Sequence, residues 1–141
     1  MAKIFISYSS KDSALAMDLA HRFQKVGMNV FTDKYPGKGA KRGITPFIDR
    51  RLDNLRVSDE FVVLLTENAI TDTQIGFEIG AALSLRKKIT SIVVGVDAEK
   101  LPPPLKPQVS IQYAEIESYL SKLKKKSRVS TKTHKGATAA I

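Results

Sequence analysis

Apolar residues in this chain fall into short runs of β-branched and aromatic side chains, separated by longer stretches in which they recur every three or four positions. The runs cover residues 3–8, 28–32, 61–65, 89–96 and, more weakly, 109–113. Each predicts a strand: residues 61–65 are continuously apolar, and residues 3–8 read as a strand buried on both faces. Between them, Leu15, Leu19, Phe23 and Val26 predict a helix that starts from the capping pattern of Ser9 and Asp12 and stops at Gly27. Phe47, Ile48, Leu52 and Leu55 predict a second helix whose start Pro46 leaves open, residues 71–88 a third, and Ile116, Tyr119, Leu120 and Leu123 a last one. Residues 101–107 hold four prolines, so the fourth crossover should be short or irregular. Strands alternating with helices in this way predict an α/β domain with a parallel sheet covered on both sides.

The stretch 71–88 organises the rest. Ile75, Ile79, Ala82 and Leu83 form a core-facing stripe, Thr71 or Asp72 can cap its start, and Arg86, Lys87 and Lys88 are expected to close its last turn. Glu78 projects from the edge of that stripe, and its helical neighbours Gln74, Ile75, Ala81 and Ala82 offer it no counter-ion. It is therefore either a surface carboxylate covered by solvent or a desolvated acid lining a cleft. In a cleft, burial would favour its neutral form and suit it to work on a sugar. Gly76 and Gly80 each weaken a helix interior by about 1 kcal/mol relative to Ala, which predicts that something approaches the backbone closely there.

Composition narrows the possibilities. With 141 residues, 43% of them apolar, one domain with a proper core is expected. The absence of cysteine removes disulfides and thiolate metal sites and fits a reducing compartment, and with two histidines, His21 and His134, no metal site is expected. No apolar run reaches the roughly 18 residues of a membrane span, and residues 1–8 lack the features of a signal peptide. A soluble, cytoplasmic protein without a membrane partner is expected. The net charge of +9 is uneven: seven of the 23 Lys/Arg and none of the 14 Asp/Glu lie in residues 121–141, leaving 16 bases against 14 acids before them. A folded domain at 1–124 followed by a basic, disordered tail at 125–141 is the expected division. Nucleic acid or an anionic membrane could bind such a tail, but so could solvent alone, and no specific nucleic-acid partner is expected.

Residues 34–46 hold three glycines, two prolines and four basic residues, which predicts a mobile cationic loop. It has no Walker pattern, and its glycines do not fit a dinucleotide fingerprint. In parallel α/β sheets ligands sit beyond the carboxyl ends of the strands, where strand order reverses. Tyr8 to Ser10, Asp33 with its loop, and Thr66 to Glu78 all fall at such ends and are expected to converge on one cleft.

Several of these residues, in this order, resemble the Toll/interleukin-1 receptor (TIR) domain of the bacterial, NAD-consuming type, over residues 3 to about 124. They are Phe5 to Tyr8 with Asp12, Phe31 to Asp33, the loop from Pro36 and Gly37 to Gly43 and Ile44, Ser58 ahead of the third strand, and Glu78 to Ala82. The resemblance implies a flavodoxin-like three-layer fold with a five-stranded parallel sheet in the order 2-1-3-4-5. In enzymatic members it implies cleavage of NAD+, a substrate rather than a cofactor, at the nicotinamide–ribose bond. The product would be ADP-ribose or a cyclic ADP-ribose-type nucleotide, read by a nucleotide-sensing effector in bacterial antiphage defence. The resemblance puts the catalytic glutamate on Glu78, the nucleotide-lining turn on Tyr8, Ser9 and Ser10, and the start of the closing loop on Asp33. It also implies homo-oligomers built by TIR–TIR contacts. Gln74, counted with Phe47 among the substrate-binding residues, stands where many NAD-cleaving members carry Trp, so stacking on the base would be lost or supplied from elsewhere, by Tyr35, Phe47 or Phe77. Lys34, Lys38, Lys41 and Arg42 either meet the pyrophosphate or are merely solvated. Two further readings stay open: a non-catalytic module that self-associates or recruits other TIR domains, and a sensor that holds a nucleotide without turnover.

Overall fold

Strands form where the apolar runs fall, as the computed structural model shows for residues 2–31 and 45–124, those it describes. These are β1 (Lys3–Ser7), β2 (Asn29–Phe31), β3 (Glu60–Leu65), β4 (Lys88–Val93) and β5 (Val109–Gln112), in one all-parallel sheet of order β2-β1-β3-β4-β5. The expected α/β class and the order implied by the resemblance are both found. Because successive strand residues face opposite ways, Phe5, Phe61, Val63 and Leu65 enter one core, while Ile4, Ile6, Val62 and Leu64 enter the other. Helices α2 (Thr45–Val57), α3 (Glu67–Ile70) and α4 (Thr73–Ser84) cover the first core. Helix α1 (Ser13–Lys25) and α5 (residues 116–124) cover the second. Phe5 and Phe61, register partners in β1 and β3, stack with centroids 5.7 Å apart. Truncating either to Ala would cost roughly 3–5 kcal/mol. Residues 98–100 and 103–105 make only 3-10 turns, in keeping with the prolines there.

Three local expectations are corrected. Helix α4 stops at Ser84 instead of running on to residue 88. Arg86 adopts φ 56°, its N–H donates to Leu83 O at 3.1 Å and that of Lys87 to Ala82 O at 3.0 Å, which is a Schellman turn with Arg in the place glycine usually takes. Lys87 therefore lies in the turn and Lys88 opens β4, as the turn frees the chain to enter the sheet. Leu83 is 36% exposed, and Glu78 occupies the buried stripe with Ile75, Ile79 and Ala82. Apart from the chain neighbours and backbone of α4 itself, nothing among the described residues lies within 4 Å of where a Cβ would sit on Gly76 or Gly80, so the expected close approach is not found. Asp72, not Thr71, caps α4, accepting from the N–H groups of Gln74 at 2.9 Å and Ile75 at 3.3 Å. Most of the cationic loop and the basic tail lie outside the described residues. Among the described residues no helix is long and apolar enough to cross a membrane.

Candidate functional site

Strand order reverses between β1 and β3, and three elements bring polar side chains together beside that point. Ser7, the last residue of β1, shares the face of Phe5 and so points towards α2 and α4. The Asp72 cap fixes the phase of α4 and turns Glu78 inwards, leaving it 1% exposed. In α2, Phe47, Arg51 and Leu55 recur at i, i+4 and i+8 and are all buried, which places a guanidinium in the middle of an apolar stripe.

These side chains close around the Glu78 carboxylate. Ser7 Oγ donates to Oε1 at 2.7 Å and Arg51 Nη2 to the same oxygen at 2.9 Å. Arg51 Nε donates to Oε2 at 2.9 Å and Gln74 Nε2 to it at 3.1 Å. Arg51 Nη2 also donates to Ile6 O at 3.1 Å, and the guanidinium carbon lies 4.2 Å from the centroid of the Phe5 ring. The expectation of an unpaired carboxylate is thus corrected: the counter-ion comes from 27 residues earlier in the chain, and each partner's side chain is 1% exposed. A buried pair of this kind contributes little net stability, since desolvating two charges offsets most of their attraction. It lies beside the carboxyl ends of β1 and β3, the end at which open α/β sheets generally bind ligands. A second contact ties the two strand ends together. Asp12 accepts from Thr66 Oγ1 at 2.5 Å and Asn68 Nδ2 at 3.1 Å, joining the turn after β1 to the one after β3.

The other predicted site residues divide three ways. Tyr8 and Phe47 are buried on the flanks of Arg51, their ring centroids 6.0 and 5.9 Å from its guanidinium carbon. Phe47 is thus packed against Arg51, and Phe77, half exposed, is on the outer side of α4. Ser9 Oγ accepts from Lys11 N at 3.3 Å and caps the 3-10 turn Ser10–Asp12, of which Ser10 is the exposed first residue. Asp33, Lys34 and Arg42 lie outside the described residues, as do Tyr35, Lys38 and Lys41. Sequence reasoning missed Arg51 and Ser7. The signal for Arg51 was present: a charged residue midway between Phe47 and Leu55 at helical spacing.

Fold and site together define a doubly wound α/β domain with a paired carboxylate beside its switch point. The TIR domain family matches residues 4–126, and the chain belongs to that family. No curated protein matches it. Among solved structures, it is similar to a 2-deoxyribosyltransferase from the psychrotolerant bacterium Bacillus psychrosaccharolyticus (TM-score 0.62, 16% identity, 79% of this chain and 85% of that one). It is similar to a CMP N-glycosidase of Clostridium botulinum (0.61, 19%, 86% and 96%). It is also similar to the TIR domain of a Toll-related receptor of Hydra magnipapillata (0.57, 16%, 81% and 86%). At these identities the likeness is one of fold.

Proposed function

We propose that this TIR domain cleaves NAD+ at the nicotinamide–ribose bond with Glu78 as the catalytic residue, giving ADP-ribose or a cyclic ADP-ribose-type nucleotide that signals in bacterial antiphage defence. The observation that carries the reading is the Glu78 carboxylate, buried and aimed by Ser7 and Arg51 beside the switch point. The chemistry needs little more. When the bond between C1′ and the pyridinium nitrogen breaks, its electron pair returns to that nitrogen and nicotinamide leaves neutral, so no acid is required. The ribose passes through an oxocarbenium-like transition state, and a carboxylate that accepts from ribose hydroxyls stabilises the developing positive charge. Attack by water gives ADP-ribose and a proton; attack by a nucleophile within the same nucleotide gives the cyclic product. Ser7 and Arg51 are positioning residues. Two structural neighbours, named as a deoxyribosyltransferase and an N-glycosidase, share this fold, which supports the reading.

The test is to incubate the purified protein with NAD+ and resolve products by mass spectrometry. Nicotinamide released together with ADP-ribose or its cyclic form is expected; NAD+ left intact by micromolar protein overturns the reading.

One observation favours the interaction-module reading, with a second copy as partner. Glu78 is the one charged residue in the sequence of α4, so the helix's outer side, with Gly76, Phe77, Gly80 and Leu83, is uncharged, and Phe77 is 50% exposed. If this side mediates self-association, Phe77→Glu shifts a concentration-dependent oligomer to monomer in sedimentation velocity.

A further inference from the structure

Among the described residues four hydrogen bonds reach Glu78, and they are not equivalent. Three come from donors locked in place: Ser7 Oγ at the end of a central strand, and Nε and Nη2 of Arg51, whose side chain is 1% exposed, lies over Phe5 and is tied to Ile6 O. The fourth, at 3.1 Å the longest, comes from Gln74, a half-buried side chain one turn earlier on α4. Between them they use both carboxylate oxygens twice, Oε1 for Ser7 and Arg51 and Oε2 for Arg51 and Gln74. A carboxylate has about four lone-pair sites. A sugar hydroxyl that is to bind here must therefore take the place of a donor already present. Displacing Ser7 or Arg51 would strand a buried hydroxyl or a buried charge. The amide of Gln74 can instead turn to water.

We propose that Gln74 is the exchangeable partner of Glu78: it occupies Oε2 in the resting enzyme, and a ribose hydroxyl of the nucleotide substrate displaces it. This inference rests on the NAD+-cleaving reading. It makes Gln74 a competitor of the substrate rather than a contact for it, and that fixes the sign of its effect. Removing the competing donor strengthens ground-state binding and leaves the chemical step alone.

The experiment measures steady-state NAD+ cleavage by wild type, Gln74→Met, which keeps the length and loses the donor, Gln74→Ala, and Glu78→Gln. Gln74→Ala guards against the Met side chain itself filling the vacated place. KM is expected to fall about 10-fold in the Gln74 variants, the worth of one hydrogen bond to a charged group, with kcat within about twofold of wild type. A fall in KM at constant kcat in either variant supports the proposal, since a merely structural role for Gln74 would not separate the two constants in this direction. If wild type cleaves NAD+ and Glu78→Gln does not, yet KM is unchanged or raised in both Gln74 variants, the proposal is overturned and the NAD+-cleaving reading stands. If wild type does not cleave NAD+, both fall.

Discussion

Two buried glutamates sit at opposite ends and on opposite faces of the same sheet, and they are held in different ways. Glu78 lies by the carboxyl ends of the strands on the α2 and α4 side, paired with an arginine as buried as itself. Glu60 opens β3 at the amino ends, on the α1 and α5 side, and is 5% exposed. Its Oε1 accepts from Thr90 Oγ1 at 2.9 Å and Tyr119 OH at 3.4 Å, and pairs with Lys88 Nζ at 3.4 Å. Lys88 is 55% exposed, so the charge at Glu60 leans on water, whereas the Arg51–Glu78 pair is sealed from it. A carboxylate that helps hold a sheet together can rest against strand hydroxyls and a solvated lysine. One kept desolvated beside an arginine, at the carboxyl ends of the strands, contributes little net stability and supports the proposed catalytic role.

Removing the arginine should have the largest effect. Arg51→Met leaves Glu78 buried without its counter-ion and should lower the unfolding free energy by about 3–5 kcal/mol in denaturant titration. Adding Glu78→Leu to that variant should restore most of the loss while leaving no NAD+ cleavage; a double variant as unstable as the single one would mean that the pair serves the fold. The Glu60 end is tested by pH. Burial, and after it the Glu60 charge, pushes the Tyr119 phenol up to about 12 from 10.0. A group whose pKa is raised in the fold contributes fully below pH 10 and loses that contribution as pH rises towards 12. Over that interval wild type should lose on the order of 2 kcal/mol more than Tyr119→Phe, with partial exposure already discounted. The smallest effect is at the turn that connects the two regions. Arg86 holds a left-handed conformation that glycine adopts without strain, so Arg86→Gly should raise stability by about 1 kcal/mol with cleavage unchanged.

How far the sequence could be read follows the range of the forces involved. The strands β1, β3 and β4 and helix α1 were legible because burial on both faces, or on one stripe, leaves a local pattern. Strand order was not in that pattern and came from the family resemblance. Glu78 was legible as a candidate because a carboxylate at the edge of an apolar stripe is conspicuous. Its partner was not, since helix-neighbour reasoning reaches four residues and Arg51 is 27 away. The end of α4 was hidden for another reason: the turn uses Arg86 where a glycine would have announced the stop. Leu83 was assigned to the core by spacing, yet the inward position between Ile75 and Ala82 belongs to Glu78. For Asp33, Lys34 and Arg42 the described residues offer no comparison.

The most direct measurement sets the two glutamates side by side. Glu78→Gln and Glu60→Gln are assayed for nicotinamide release from NAD+ under matched conditions, at a temperature where circular dichroism shows both variants folded. Glu78→Gln should lose at least about 100-fold in rate, because the amide cannot offset the charge that develops on the ribose. Glu60→Gln should stay within about twofold of wild type. Equal losses in the two variants, or wild-type turnover by Glu78→Gln, would contradict the assignment of Glu78 as the catalytic carboxylate.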